Sequence, residues 1–245
     1  MNAVTANEGP SGYAAWRLIA EELRVDVTDG RIPVGGRLPS EAELAERFAV
    51  NRHTVRRAVA ALAAEGLVEA RRGSGTFVAP HTLVTHRIGT RTRMTDSLGP
   101  RSGDASARLL ETAIEVPPPD VAAVLGEQVV RLEVVRSLSG RPISRGTHWF
   151  GLGRAPDLAA HFRRTGSITR SLEAGGIDDY VRVSTTISAR HATADELSDL
   201  ELSPGAVVLV ARALDALPGG EPLSVGYTRF PAHLVELDVE HVPTA

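Results

Sequence analysis

Two side-chain types are missing from this 245-residue chain altogether, cysteine and lysine. Without cysteine there is no disulfide framework and no thiolate metal site. Without lysine, all 27 basic residues are arginine, which reads plainly as a codon bias toward arginine and alanine. Aromatic residues are scarce at 4%. No apolar run approaches the roughly 20 residues a membrane span needs. Residues 1–10 lack a basic stretch followed by an apolar one, so no secretory leader is expected. These absences predict a cytoplasmic protein with no membrane partner. Neither a P-loop nor the His-Glu-x-x-His and Gly-x-Ser-x-Gly signatures occur. An enzyme is therefore not expected, and neither is a cofactor or a metal.

What is present suffices for folded cores. Hydrophobic residues make up 42% and charged residues 23%, and the length suits one large or two modest domains. Net charge is -3, so the chain is not uniformly basic. Between Arg47 and Arg72, however, six arginines face two acids, a formal +4. Attraction to phosphates needs only such a local face.

That basic stretch lies in an ordered series of local signals. Tyr13, Trp16, Ala20, Leu23 and Val27 recur at helical spacing and predict an amphipathic helix ending near Gly30. Ser40 and Glu43 form a capping box ahead of a second helix through Leu44, Ala45 and Phe48. Ala49-Val50-Asn51 is long enough only for a tight turn, and Asn51 can cap a third helix. On that helix Val55, Ala58, Val59 and Leu62 form a buried stripe. His53, Arg56 and Arg57 occupy the other side, with Arg52 at its edge. Gly66 supplies the stop. Two short β-type runs then flank Gly73-Ser74-Gly75, a hairpin whose tip is small enough to approach a phosphate backbone or enter a minor groove. A helix held by one apolar face, with arginine on the other, is the geometry that enters a major groove. An ordinary three-helix domain with a solvated arginine surface is the plainer alternative.

The run from Arg37 to Val78 resembles the winged helix-turn-helix of the GntR family of bacterial transcription regulators. The Pro-Ser-Glu cap, the Val-Arg-Arg-Ala helix and the Gly-x-Gly-Thr-Phe-Val wing occur in order. The resemblance implies DNA contact by Ser40, Glu41, Arg52, His53, Thr54, Arg56 and Gly75. Arg57 and Gly73 join them as candidates from their place on the helix and the tip. A frequent family arginine is Ala42 here, which removes one expected backbone contact.

Beyond this unit the texture changes. Residues 80–87 read as a linker between a DNA-binding domain at 12–79 and a second domain at 88–241. Val129 to Ser137 and Pro142 to Phe150 predict a hairpin around Ser139-Gly140. Short helices are expected after Asp157 and from Ser167 to Ala174, and a longer one from Ala194 to Leu202. Strands are expected from Tyr180 to Arg190, Val207 to Leu214 and Leu223 to Phe230, with Val235 to Val239 closing the sheet. Sequential strands with tight turns imply an antiparallel sheet flanked by helices, an α+β fold.

This half resembles the UTRA effector-binding domain of the HutC branch of that family, a fold similar to chorismate lyase. Arg91 to Leu98, Gly140-Arg141-Pro142, Thr147 to Phe150, Gly176 to Tyr180 and Gly226 to Phe230 place it with the phosphonate-utilisation (PhnF-type) regulators. The resemblance implies a homodimer that binds a palindromic operator in double-stranded DNA under control of a small anionic effector. It implies that backbone N–H groups of the segment Met94 to Leu98 hold the anion, so Arg93, Met94, Thr95 and Asp96 are effector candidates. Arg136 matches a family arginine, and its fork suits phosphate. A neighbouring family arginine is Val134, and a late-strand family glutamate is Ser224. Both changes count against a sugar-phosphate ligand, although a sugar-phosphate or carboxylate effector is the alternative. His148, Tyr180, Arg182, Tyr227 and Arg229 are further candidates, with packing and surface roles as the alternatives. Arg190 reads as structural. A lyase activity is not carried over, because fold does not carry function.

Overall fold

A computed structural model of the chain describes residues 12–79, 84–91 and 103–239. The chain divides into two compact units, Met1–Thr82 and Leu83–Ala245.

The first unit has three helices, α1 (Gly12–Thr28), α2 (Glu41–Arg47) and α3 (Arg52–Ala64), and a hairpin of β1 (Val68–Arg71) and β2 (Gly75–Val78). The expected apolar stripe of α1 is its buried face: Trp16, Ala20, Leu23 and Val27 join Leu44, Val55, Leu62, Leu67 and Val78 in one core. Ser40 caps α2 with the predicted box, its Oγ accepting from the Glu43 N–H at 3.2 Å. Asn51 Oδ1 accepts from the Thr54 N–H at 2.9 Å and caps α3. The Leu38 N–H donates to the Thr76 carbonyl and the Val78 N–H to Gly36, so residues 36–38 lie alongside the hairpin. Glu65, 2% exposed, takes two guanidinium nitrogens of Arg24 at 2.8 and 3.0 Å and ties the end of α3 to α1. The turn between α2 and α3 places Ala49 at φ 51, the left-handed region that disfavours any residue with a Cβ.

In the second unit β4 (Ala105–Glu115), β5 (Val129–Leu138), β6 (Arg141–Gly151), β7 (Val181–His191), β8 (Val207–Ala216) and β9 (Pro222–Pro231) form one antiparallel sheet in the order β4-β5-β6-β9-β8-β7. Short helices cover both faces: α4 (Pro119–Leu125), α5 (Leu158–Thr165), α6 (Ile168–Ala174) and α7 (Ala194–Asp199). Side chains alternate between faces along each strand. On one face Leu132, Val134, Phe150 and Leu223 pack under Leu158, Phe162 and Leu172 of α5 and α6. Trp149 and Val225, on the other face, pack against Val121 of α4. The rest of that second face is an ionic network. Arg145 pairs with Glu133 and Asp199, Arg131 with Glu111, Glu115 and Glu133, and Glu196 with Arg190 and Arg229.

Three sequence expectations change. Residues 84–87 were read as linker, but Val84–Ile88 is a strand, β3, of the second unit; a five-residue parallel strand carries too short a pattern to show against polar neighbours. Val235–Val239, here β10, pairs in parallel with β3 and does not close the main sheet. The edge strand β4 and the helix α4 gave no clear signal, because β4 is half-exposed along its length and rich in alanine and glutamate.

Replacing Ala49 with glycine relieves the left-handed strain and should stabilise the first unit by about 0.5–1 kcal/mol. Urea denaturation of the Ala49→Gly variant checks this, and an unchanged or lower midpoint would contradict it.

Candidate functional site

The exposed face of the first unit is built from the N-terminal half of α3, the start of α2 and the hairpin tip. Arg52, His53 and Arg56 are exposed on α3, and Ser40 is exposed at the start of α2. Arg56 meets Glu41 in an exposed pair, Nη2 to Oε2 3.0 Å. Gly73 at φ 74 opens the tip, with no heavy atom within 4 Å of where a Cβ would stand. Gly75, at φ 114, is needed for a different reason: a Cβ there would stand 2.8 Å from Arg37 Nε.

Two expected contacts are placed elsewhere. Thr54 is buried, its N–H and hydroxyl both held by Asn51 Oδ1, so it shapes the helix start and does not face outward. Arg57 stacks its guanidinium over the Trp16 ring at 4.6 Å, on the α1 side of the helix. The formal +4 also shrinks on inspection. Arg47 pairs with Glu22 and Asp26, and Arg71 pairs with Glu69. Among the described residues no acid lies within ion-pair distance of Arg37, Arg52 or Arg72. Arg37 escaped the sequence reading because it lies in the loop between the first two helical signals, although Gly75 marks the close approach of its side chain.

The second unit holds a cavity of about 90 Å³, room for a few waters or one small anion. It lies on the α5–α6 face of the sheet, where Val134 and Arg136 of β5, Ser144, Gly146, His148 and Phe150 of β6, and Ser224 and Thr228 of β9 all point. His86 of β3, Tyr180, Arg182 of β7 and Asp215 of β8 complete its polar wall.

Arg136 has neither a hydrogen-bond acceptor nor an ion-pair partner among the described residues. Burial pushes its pKa down, with the Tyr180 phenol opposing. Arg182 is held by Asp215, Nε to Oδ1 2.6 Å, and by Thr185 at 3.1 Å. Tyr180 meets the Thr169 hydroxyl at 2.9 Å. His148 lies across two glycines: a Cβ at Gly226 would stand 2.9 Å from its Nδ1, and one at Gly146 would collide with Nε2. Burial first, then Arg136, Arg229 and Arg182, push the His148 pKa down to about 3. Burial, Arg182 and Arg136 push His86 down to about 4.

Of the effector candidates, the structure brings Arg136, His148, Tyr180 and Arg182 together. Tyr227 and Arg229 are on the opposite face, one residue out of phase. The Tyr227 hydroxyl donates to Asp120 of α4, and its ring packs edge-on against Trp149. Arg229 donates to Thr147 Oγ1 at 2.6 Å and pairs with Glu196. Both hold helices to the sheet. Arg93, Met94, Thr95 and Asp96 lie outside the described residues. The cavity residues missed in sequence were His86, Asp215, Ser144 and Thr228. A carboxylate within a strand and glycines inside two adjacent strands were the available signals.

Residues 17–78 match the family model for bacterial regulatory proteins, gntR family, and residues 101–236 match that of the UTRA domain. An uncharacterized HTH-type transcriptional regulator of Rhizobium meliloti is 40% identical over 237 residues, 95% of this chain and 97% of that one. The chain belongs to the GntR family. It is a HutC-type GntR regulator with a UTRA domain, a DNA-binding transcriptional regulator and not an enzyme. The E. coli transcriptional regulator PhnF is 28% identical over 222 residues, 84% of this chain and 87% of its own. The Bacillus subtilis transcriptional repressor NagR is 28% identical over 207 residues, 82% of this chain and 84% of its own. The crystal structure of PhnF from Mycobacterium smegmatis shares the fold, with a TM-score of 0.61 at 24% identity, covering 92% of this chain and all of that one. Among the described residues no helix is long and apolar enough to cross a membrane.

Two outcomes are expected. Arg52→Ala should lose about 1–3 kcal/mol of operator binding, the range for one base-reading arginine; unchanged affinity in a fluorescence anisotropy titration would remove Arg52 from the interface. The two histidines should make the second unit acid-sensitive. Their folded pKa values lie below the unfolded value of 6.5, so the unfolded chain takes up protons first as pH falls. Stability is complete above pH 6.5 and declines as pH falls toward about 3. The His148→Leu variant should show a shallower decline in acid denaturation between those limits, and an identical profile would contradict the assignment.

Proposed function

We propose that this chain is a homodimeric repressor whose hold on a palindromic operator is set by a small anion bound beside Arg136. The observation that carries the reading is the Arg136 guanidinium in the cavity, which has no acid or acceptor partner among the described residues. A cation removed from water and left without a partner is costly, and an oxyanion answers both its charge and its paired N–H geometry. The small volume of the cavity, and Ser224 in the place of a family glutamate, favour phosphate, a phosphonate or a similar ion over a sugar phosphate.

The DNA-facing residues of this reading are Arg52, His53, Arg56, Ser40, Glu41 and the Gly73–Gly75 tip, with Arg37 and Arg72 added. Two-fold symmetry would set half-sites about one helical turn apart. Relatives named as transcriptional regulator or repressor, PhnF and NagR among them, support the direction of control. An effector can change operator affinity only if it binds the DNA-competent and DNA-free states differently.

Arg136→Ala separates the two activities. The variant should bind operator DNA about as well as the parent chain but lose its response to added phosphate or methylphosphonate. Anisotropy titrations with and without each anion test this, with sedimentation velocity to establish the dimer. A variant that still responds normally would remove Arg136 from the effector site.

A further inference from the structure

The described lining of the cavity carries three formal charges, Arg136 and Arg182 positive and Asp215 negative. Asp215 is matched: Arg182 Nε lies 2.6 Å from Oδ1, and the Ser224 hydroxyl donates to Oδ2 at 3.3 Å. Among the described lining residues one positive charge remains, that of Arg136. An ion of charge −1 therefore neutralises the described lining. An ion of charge −2 leaves a net negative charge in a partly dehydrated space, where unmatched charge is unfavourable.

The neutral groups restrict the ligand in the same direction. His148 has no hydrogen-bond partner on either ring nitrogen among the described residues. Its ring is seated on Gly146 and Gly226, where any side chain would displace it. The groups around it are Arg136 from β5, Arg182 from β7, Arg229 through the sheet from β9, Asp215 from β8 and His86 from β3. Burial first, then the neighbouring guanidiniums of Arg136, Arg229 and Arg182, keep the imidazole unprotonated, its pKa pushed down to about 3. A neutral imidazole offers one donor and one acceptor nitrogen. A ligand that still bears a proton can satisfy both nitrogens, accepting from the N–H and donating its P–O–H hydrogen to the other. A fully ionised oxyanion can accept from the N–H but has no hydrogen for the acceptor nitrogen, which stays unsatisfied.

We propose that this cavity selects a singly charged oxyanion that still bears a proton, the shared chemistry of dihydrogen phosphate and a monoprotonated alkylphosphonate, and rejects fully ionised sulfate, with His148 as the specificity-determining residue. This rests on the reading of the cavity as the effector site. Arg136 binds the ionised oxygens, and His148 accepts the P–O–H hydrogen. Sulfate has nearly the same size and shape but two charges and no proton, so it isolates protonation from fit.

Calorimetric titration of the full-length protein with sodium phosphate, methylphosphonate and sodium sulfate tests the idea, run at pH 6 and at pH 8.5. Phosphate and methylphosphonate should bind at least about tenfold tighter than sulfate at pH 6, the scale of one hydrogen bond to a charged group. Affinity for total phosphate should fall between pH 6 and pH 8.5 as the ligand loses its second proton, while sulfate affinity should not follow that course. His148→Leu should bring phosphate down toward sulfate. Sulfate binding as tightly as phosphate in the parent chain, or phosphate affinity that rises with pH, would overturn the proposal without need of any variant. An unchanged phosphate-to-sulfate ratio in His148→Leu would remove His148 from the role. Arg136→Ala distinguishes the underlying reading: if no anion binds the parent chain, or if all bind the variant equally well, the effector cavity itself is refuted and the proposal with it.

Discussion

The pleat of the six-stranded sheet divides its arginines into two populations. Successive side chains on β5, β6 and β9 point to opposite faces. On one face Arg131, Arg145 and Arg229 are each met by carboxylates of Glu111, Glu115, Glu133, Glu196 or Asp199. On the other, Arg136 has no acid partner among the described residues, in a cavity otherwise walled by the Arg182–Asp215 pair, hydroxyls, histidines and apolar side chains. A slip of one residue in the register of β5 would exchange these surroundings. It would bury Glu133 and Val135 toward the cavity and turn Arg136 to the ionic face. The cavity's chemistry therefore depends on register, and the aromatic and aliphatic packing of Leu132, Phe150 and Leu223 under α5 and α6 is what fixes it.

The ionic face has its own consequence. Glu196 is 3% exposed, yet burial, which raises its pKa, is outweighed by Arg190, the Thr193 N–H and Arg229, leaving it at about 2. It stays ionised and holds α7 to β7 and β9. Breaking such a group away from its partners leaves a buried charge and is strongly destabilising. The network thus makes one side of the sheet stiff while the other side encloses a cavity whose Arg136 has no acid partner among the described residues. Gly146 and Gly226 extend this asymmetry to the backbone: they remove side chains only from the cavity face, where the His148 ring lies.

Much of this was legible in the sequence, for identifiable reasons. The capping box at Ser40 and Glu43 and the Asn51 cap were readable because helix ends depend on local hydrogen bonds between residues three apart. The hairpin around Ser139-Gly140 was readable because turn chemistry is equally local. The parallel pairing of β3 with β10 was not, since it joins residues far apart in the chain and neither partner shows its pairing alone. The site followed the same division. Arg136 and His148 were nominated singly by resemblance, but Tyr227 and Arg229 were nominated on the same grounds and face the other way. Strand register decides between the two pairs, and a motif of adjacent residues contains both faces at once. Thr54 failed for a similar reason: it sits among outward-facing neighbours, but its hydroxyl is drawn in by Asn51.

The two units hold their cations on different terms, and this asymmetry suits a regulator. On the first unit Arg56 is paired with Glu41 at the surface, where such a pair contributes only about 0.2–1 kcal/mol. If these residues meet DNA as proposed, a phosphate can displace the carboxylate at little cost, and Arg52 and Arg72, with no acid within ion-pair distance among the described residues, need displace nothing. DNA binding built this way is salt-sensitive and readily reversed. In the cavity of the second unit the uncompensated guanidinium raises the free energy of the empty state, so a matching anion gains what the empty protein lacks. If the cavity is the proposed effector site, an input site with an uncompensated cation, joined in one chain to an output surface whose contacts are individually weak, would let a modest difference in effector affinity between two states shift operator occupancy. Reversing the arrangement, with a compensated cavity and buried DNA contacts, would leave a ligand little free energy with which to shift the DNA-bound population.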